Sequence, residues 1–339
     1  MRRGPRRFLV RKKQRSMCLK TLLVAAGSCA ALGTLSSRRR ASQGPPPMKG
    51  GSAAEEERPY FERRKNPALL YGTAWKKERT TELVVEAVRA GFAGVDTACQ
   101  PKHYREDLVG EALRRLEHDH HVSRDELWIQ TKFTPLAGQD PRNVPYDSAA
   151  PLEEQVDQSL RTSLEHLGKV DSLVLHSPLR RFEDTLTVWR RFEAAVDRGD
   201  VTQLGVSNCY DERLFRRLFD EARHKPRVLQ NRFYADSGYD AGLRAFCRQH
   251  DITYQTFWTL TANRHLLQTS ATLRAPAARL DATPEQILFA WLIRAGHQPL
   301  TGTTSSLHMR QDLQAEHLAA QLQPHEIDAI AQLFSSSSS

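Results

Sequence analysis

From about residue 68 onward, apolar runs of strand length alternate with stretches of helical periodicity, and that alternation constrains the fold of this 339-residue chain more than any other feature. Repeated strand–helix units of this kind bury a parallel sheet beneath helices. The runs fall at 68–71, 92–96, 127–132, 171–176, 202–207, 227–231, 252–257 and 298–302. Eight is the number that closes an α/β sheet into a (β/α)8 TIM barrel. Between the runs, Leu152, Val156, Leu160, Leu164 and Leu167 recur at three- and four-residue steps, as the buried stripe of one helix does. In Thr283-Pro284-Glu285-Gln286 a capping threonine precedes a proline at the first helical position and a glutamine three residues on, which starts a helix with Leu288, Trp291, Leu292 and Ala295 as its core stripe. No segment repeats at a solenoid period.

Charge separates the chain into parts. Residues 1–54 contain thirteen Lys or Arg and no acid, leaving thirty-six basic against forty acidic residues in the rest, so the overall net charge of +9 belongs to the leader. The basic clusters RRGPRR and RKKQR lack interleaved aromatics for base stacking, and no nucleic-acid partner is expected. Between them and SSRRRAS lies TLLVAAGSCAALGTL, shorter than the roughly 20 apolar residues that cross a bilayer. The segment reads as a targeting sequence or an extension, with any membrane contact confined to it. Localisation is then cytoplasmic, or mitochondrial if residues 1–54 act as a presequence. Pro45–Pro47 with Gly50 and Gly51 read as a linker, residues 55–335 as the barrel, and 336–339 as a frayed serine tail. Five cysteines at irregular spacing, with no CxxC pair, suit a reducing compartment. Cys99 and Cys209 read as small buried fillers.

Three polar residues close apolar runs: Asp96 in FAGVDT, Lys132 in LWIQTK and His176 in SLVLH; Tyr104 lies in the connection after the first. At the ends of successive parallel strands such residues converge on a barrel mouth. The set suits reduction of an aldehyde or ketone, which puts a hydride on carbon and leaves charge on oxygen, so that a proton donor must face that oxygen. A free phenol, with a pKa of about 10, is a reluctant donor. An adjacent ammonium, Lys132, is expected to lower that pKa, with Asp96 keeping the ammonium charged and His176 directing the substrate oxygen.

The motif GFAGVDTACQPKHYREDLVGEAL, residues 91–113, followed in order by TKF at Lys132, LHSP at His176, GVSN at Ser207 and Asn208, and then Gln230, resembles the aldo-keto reductase family over about residues 71–334. The resemblance implies an NAD(P)H-dependent oxidoreductase with Tyr104, Lys132, Asp96 and His176 as catalytic tetrad. No GxGxxG follows a strand in the body, which argues against a Rossmann cofactor site. The resemblance implies instead a nicotinamide nucleotide lying across the mouth, its carboxamide held by Ser207, Asn208 and Gln230. Phe257 stands where the family commonly stacks a tyrosine on the nicotinamide ring, which a phenyl face also does. In the last loop, Gly302 and Thr303 align with the family's lysine and serine, and His308 with its arginine. NADPH is the expected cofactor, with NADH admitted because two cations are lost, although Arg310 lies one turn further on. Trp75 and Phe133 match positions that wall the substrate pocket; Ser177 replaces a common tryptophan, implying an open pocket for a small-molecule aldehyde or ketone.

Other readings are a nicotinamide-nucleotide-binding regulatory or sensor subunit on the same barrel with little turnover, and a barrel hydrolase using Asp96 and Glu106 as paired carboxylates. His118, His120 and His121 read as a solvated loop, and no metal site is expected. Arg180 and Arg181 read as rim charges.

Overall fold

The protein is described over residues 67–335 from a computed structural model; the expected leader, linker and serine tail, and residues 55–66 of the expected barrel, lie outside the described residues. All eight expected strands form, within two residues of the anticipated bounds: β1 (Leu70–Gly72), β2 (Gly94–Asp96), β3 (Trp128–Phe133), β4 (Val170–Leu175), β5 (Val201–Ser207), β6 (Val228–Arg232), β7 (Thr253–Phe257) and β8 (Gln298–Thr301). They pair in parallel in chain order, and β8 returns to β1, closing the barrel. Helices α1 (Thr80–Ala90), α2 (Glu106–His120), α3 (Leu152–Leu167), α4 (Phe182–Asp197), α5 (Glu212–Glu221) and α6 (Ala241–Gln249) follow the first six strands in turn. After β7 come α7 (Thr259–Ala262), α8 (Arg264–Thr269), α9 (Ala271–Arg279) and α10 (Pro284–Arg294); α11 (Ser306–Gln321) and α12 (Pro324–Leu333) follow β8.

Successive strand residues face opposite sides of the sheet. Ile129, Phe133, Leu173, Leu175, Leu204, Val206, Leu229 and Tyr254 face outward and pack with Val109, Val156, Leu160, Val188 and Phe215 of the surrounding helices. The inward set is polar. Gln130 donates to Asp96 Oδ1 (2.7 Å) and to Gln255 Oε1 (2.7 Å), Ser172 donates to Gln130 Oε1 (3.0 Å), and Gln255 donates to Gln298 Oε1 (2.7 Å). Barrel interiors usually stack branched apolar side chains. Here satisfied amides fill that space and tie the floor to Asp96, a use of Gln130, Gln255 and Gln298 that period-2 patterning does not distinguish from burial of any other kind. Gly205 lets β5 approach β6, because a Cβ there would lie 2.7 Å from that of Val228.

Helix α10 begins as expected, with Gln286 N donating to Thr283 Oγ1 (3.2 Å) and Thr283 N donating to Gln286 Oε1 (2.9 Å). Its burial exceeds one stripe: Ile287 through Leu292 are all buried, since Gln286 is fixed to α11 and Trp291 donates to Ile327 O of α12. Apolar residues all round a helix mark one enclosed on every side.

His297, just before β8, is buried, and neither ring nitrogen has a partner among the described residues. Burial, reinforced by Arg244 and Arg248, pulls its pKa down to about 3. The native pKa lies below the unfolded one, so stability is complete above about pH 6.5 and falls as pH drops toward 3. At pH 5 the expected loss from this residue is about 2 kcal/mol. Urea unfolding of the parent and of His297→Phe at pH 7 and 5 checks this: the phenylalanine variant should lack that part of the slope.

Candidate active site

Tight backbone geometry carries Tyr104 to the mouth. Beyond β2 the chain is pinned to β3, with Thr97 N donating to Gln130 O (2.8 Å) and Cys99 N to Lys132 O (3.1 Å). It then turns so that Tyr104 N donates to Gln100 O (3.0 Å), and α2 begins two residues later. Asp96 and Lys132, inward at the ends of β2 and β3, form an ion pair of 2.6 Å with side chains 4% and 1% exposed. Both partners are held further: Lys132 Nζ also donates to Thr97 O (2.9 Å), and Asp96 Oδ1 accepts from Gln130 and Gln230. The Tyr104 ring lies 5.2 Å from Lys132 Nζ and meets the His176 ring edge-on at 5.9 Å. The four expected residues are therefore together at one end of the barrel.

The electrostatics differ from the expectation for the phenol. Burial first, and the Asp96 carboxylate second, raise the Tyr104 pKa above its usual value. The reason is that Lys132 is not a free cation. Its charge is paired with Asp96 at 2.6 Å, so the field that remains at the phenol does not outweigh burial. Burial also pulls the Lys132 ammonium below its ordinary pKa, against the opposing effect of Asp96. Burial, then Lys132 and His103, lowers the His176 pKa to about 3, which makes the imidazole neutral at physiological pH. Its Nδ1 lies 2.6 Å from Thr134 Oγ1, a partner absent from the sequence reading. A Thr134 hydroxyl donating to Nδ1 leaves Nε2 as the N–H donor. Thr134 is itself fixed: its carbonyl accepts from Gln139 (3.2 Å) and Tyr146 (2.8 Å).

The expected cofactor residues fall into two groups. Ser207 ends β5 with Asn208 just beyond it, and Gln230 lies beside Ser207 in the β5–β6 register. Gln230 donates to Asp96 and Gln255, while its Oε1 accepts no hydrogen bond among the described residues. Asn208, with φ of 52°, donates to His176 O (2.9 Å) and to Ser207 Oγ (3.3 Å), fastening the β4 and β5 ends together. Phe257 ends β7, half-buried. The second group, Gly302, Thr303 and His308, follows β8: Thr303 O accepts from Tyr71 (2.9 Å), and exposed His308 sits in the first turn of α11, its N–H donating to Ser305 Oγ (3.4 Å).

Residue Lys76 of the β1–α1 connection also belongs there and has no sequence signal of its own. Its ammonium donates to Gly302 O and lies 3.4 Å from the point where a Cβ on Gly302 would sit. A cation from the β1–α1 connection thus lies at Gly302. Burial and then Arg79 bring its pKa down to about 8.

Of the two expected pocket walls, Trp75 stands 61% exposed with φ of 64° and stacks on His103 at 3.9 Å, beside Tyr104. Phe133 is placed elsewhere. Because Lys132 faces inward, its neighbour faces outward, and Phe133 packs on Tyr146 at 5.7 Å in the core between barrel and helices. Thr134 is next on the inward side, buried against His176. Glu106 likewise points away from Asp96, accepting from Thr131 on the outer face of β3 and from Ser163 (3.0 Å) of α3, so the two carboxylates are not a hydrolytic pair. Burial pushes the thiols up, Cys209 to about 12, and leaves them packing residues. His118 and His121 are exposed at the end of α2. A cavity of about 320 Å³ lined by Thr202, Leu204, Arg223 and Lys225 lies at the start of β5, the opposite end from Asp96.

The family model described as "Aldo/keto reductase family" matches residues 68–334. A 2,5-diketo-D-gluconic acid reductase B of Corynebacterium sp. is 29% identical over 252 residues, covering 74% of this chain and 82% of that protein. A pyridoxine 4-dehydrogenase of Escherichia coli is 31% identical over 246 residues, covering 69% and 79%. Among solved structures, an aldo/keto reductase from Brucella melitensis superimposes with a TM-score of 0.65 at 25% identity, covering 79% of this chain and 95% of that one. An aldo-keto reductase in complex with NADPH gives 0.64 at 21% identity, covering 79% and 84%, and at that identity supports the fold alone.

Proposed function

The chain belongs to the aldo/keto reductase family, and on that premise we propose that it reduces aldehydes or ketones to alcohols with NADPH, using Tyr104 as general acid. The observation that carries this reading is the buried Lys132–Asp96 pair facing the Tyr104 ring beside a neutral His176. Reduced nicotinamide, when bound, supplies the hydride. Every other requirement falls to the chain. His176 Nε2 donates to the carbonyl oxygen and aligns it; Tyr104 gives its proton to that oxygen as charge develops; Lys132, 5.2 Å from the ring, stabilises the resulting phenolate until solvent returns a proton. A phenol held above its usual pKa keeps its proton at rest, as a donor must. Loss of reduced-nicotinamide absorbance with a panel of aldehydes, matched by alcohol formed, tests the reading; tight cofactor binding without loss would favour a sensor instead.

Thr134 is a positioning residue in this scheme. Thr134→Val should lower kcat/KM about tenfold, the effect of one orienting hydrogen bond, while Thr134→Ser retains it. Steady-state kinetics of both variants check this.

For the cofactor, the unpaired Gln230 Oε1 suits a carboxamide N–H, and Lys76 with the hydroxyl-rich Thr303–Ser306 segment at the start of α11 suits a phosphate. NADPH is then preferred, with NADH weaker. Lys76→Gln should raise the NADPH dissociation constant about tenfold, and parent binding should weaken as pH rises through about 8, where the ammonium loses its proton. Calorimetric titration from pH 7 to 9 reads both effects.

A further inference from the structure

Arg232 ends β6 on the inward face, the same side as Gln230 and one step nearer the mouth. Its guanidinium lies 4.0 Å from the Trp258 ring centroid and 5.3 Å from that of Tyr234. Trp258 is 52% exposed and held at φ of 59°, a conformation bulky side chains rarely adopt. Arg232 Nε is buried without a partner, and among the described residues the guanidinium makes neither an ion pair nor a hydrogen bond. Elsewhere half-buried arginines are matched, as Arg191 is by Asp157 and Arg124 by Asp171. Taking a guanidinium partly out of water with no counter-charge is unfavourable, and flanking aromatic faces offset only part of that cost. The stack also fixes the plane of the fork while leaving its hydrogens unused.

The position of this cation matters as much as its state. Arg232 N donates to Tyr210 OH (3.1 Å), which donates in turn to Asn208 Oδ1 (3.4 Å), so the guanidinium belongs to the same rim as the amide cluster of β5 and β6. We propose that Arg232, oriented by Trp258 and Tyr234, is an oxyanion-binding site of the mouth that takes a carboxylate or phosphate through its planar fork. The anion comes from one of two sources: an acidic group on the carbonyl substrate, or the pyrophosphate of the dinucleotide. The first would make the substrates acidic carbonyl compounds. This inference rests on the reading of the mouth as a reductase site, but its binding arm does not require turnover.

The experiment compares the full-length parent with Arg232→Gln and Arg232→Lys. Kinetics use 4-carboxybenzaldehyde and benzaldehyde at saturating NADPH; calorimetry measures NADPH, inorganic pyrophosphate and benzoate. If the substrate supplies the anion, Arg232→Gln raises the ratio of KM values, carboxylated over neutral, about tenfold, and weakens benzoate. If the dinucleotide supplies it, NADPH and pyrophosphate affinities fall about tenfold instead. Arg232→Lys should recover less than half of either effect on a logarithmic scale, because an ammonium lacks the fork. Unchanged ratios and dissociation constants, within twofold, for folded Arg232→Gln would overturn the proposal. A parent that turns over no aldehyde yet loses pyrophosphate or benzoate affinity on Arg232→Gln would sink the reductase reading and leave the anion site standing.

Discussion

Tyr104→Phe should lower turnover of every carbonyl substrate by about a thousandfold, the scale of general-acid catalysis, while the NADPH dissociation constant moves less than threefold. The phenyl ring preserves packing against His176 at 5.9 Å and against the Lys132 ammonium at 5.2 Å. Only the hydroxyl is lost. That hydroxyl makes no hydrogen bond to another described residue, so its removal leaves no buried partner unsatisfied and the fold should be unaffected. A thousandfold loss of kcat with an unchanged urea midpoint isolates the proton from the scaffold. A loss matched by destabilisation would instead mean that Tyr104 is mainly a packing residue. Because the phenol stays protonated, parent kcat should also be flat from about pH 6 to 9.

Lys132→Met carries the second large effect, and it differs in kind. The ammonium is 1% exposed, bound to Asp96 Oδ2 at 2.6 Å and to Thr97 O at 2.9 Å. Removing it strands a buried carboxylate among Gln130 and Gln230, a change that costs about 3–5 kcal/mol. Both stability and catalysis should fall, since the phenolate loses the cation 5.2 Å from its ring. Restoring neutrality with Asp96→Asn on the Lys132→Met background should recover much of the stability and none of the activity. Chemical denaturation of the single and double variants, read beside their turnover, separates the two contributions.

The fold was legible because strands such as β3 and β4 are buried on both faces, which concentrates Val, Ile, Leu and Thr into short runs separated by helical spacing. Thr283-Pro284-Glu285-Gln286 was equally plain, since capping chemistry is local. The tetrad was found because three members close such runs. What escaped depends on contacts remote in sequence. Lys76 reaches Gly302 across 226 positions, and no spacing rule connects a lysine after β1 with a glycine after β8. Thr134 meets His176 from a neighbouring strand end, and a threonine after a strand has no distinctive pattern. Phe133 was misplaced for a simpler reason: alternation put it opposite Lys132, on the helix side of β3. The phenol's electrostatics failed at the level of pairs, because a lysine's field depends on what already neutralises it, and Asp96 does so here.

The central claim is that Tyr104 protonates a carbonyl oxygen while its carbon is reduced at this mouth. Transfer of label from NADPH carrying deuterium at the transferable position tests it in one measurement, with benzaldehyde as acceptor and the alcohol analysed by mass spectrometry. The account predicts one deuterium on the carbinol carbon per cofactor oxidised in the parent, and a thousandfold slower appearance in Tyr104→Phe. Bound cofactor that stays reduced in the parent, or label that appears in Tyr104→Phe at the parent rate, would contradict it.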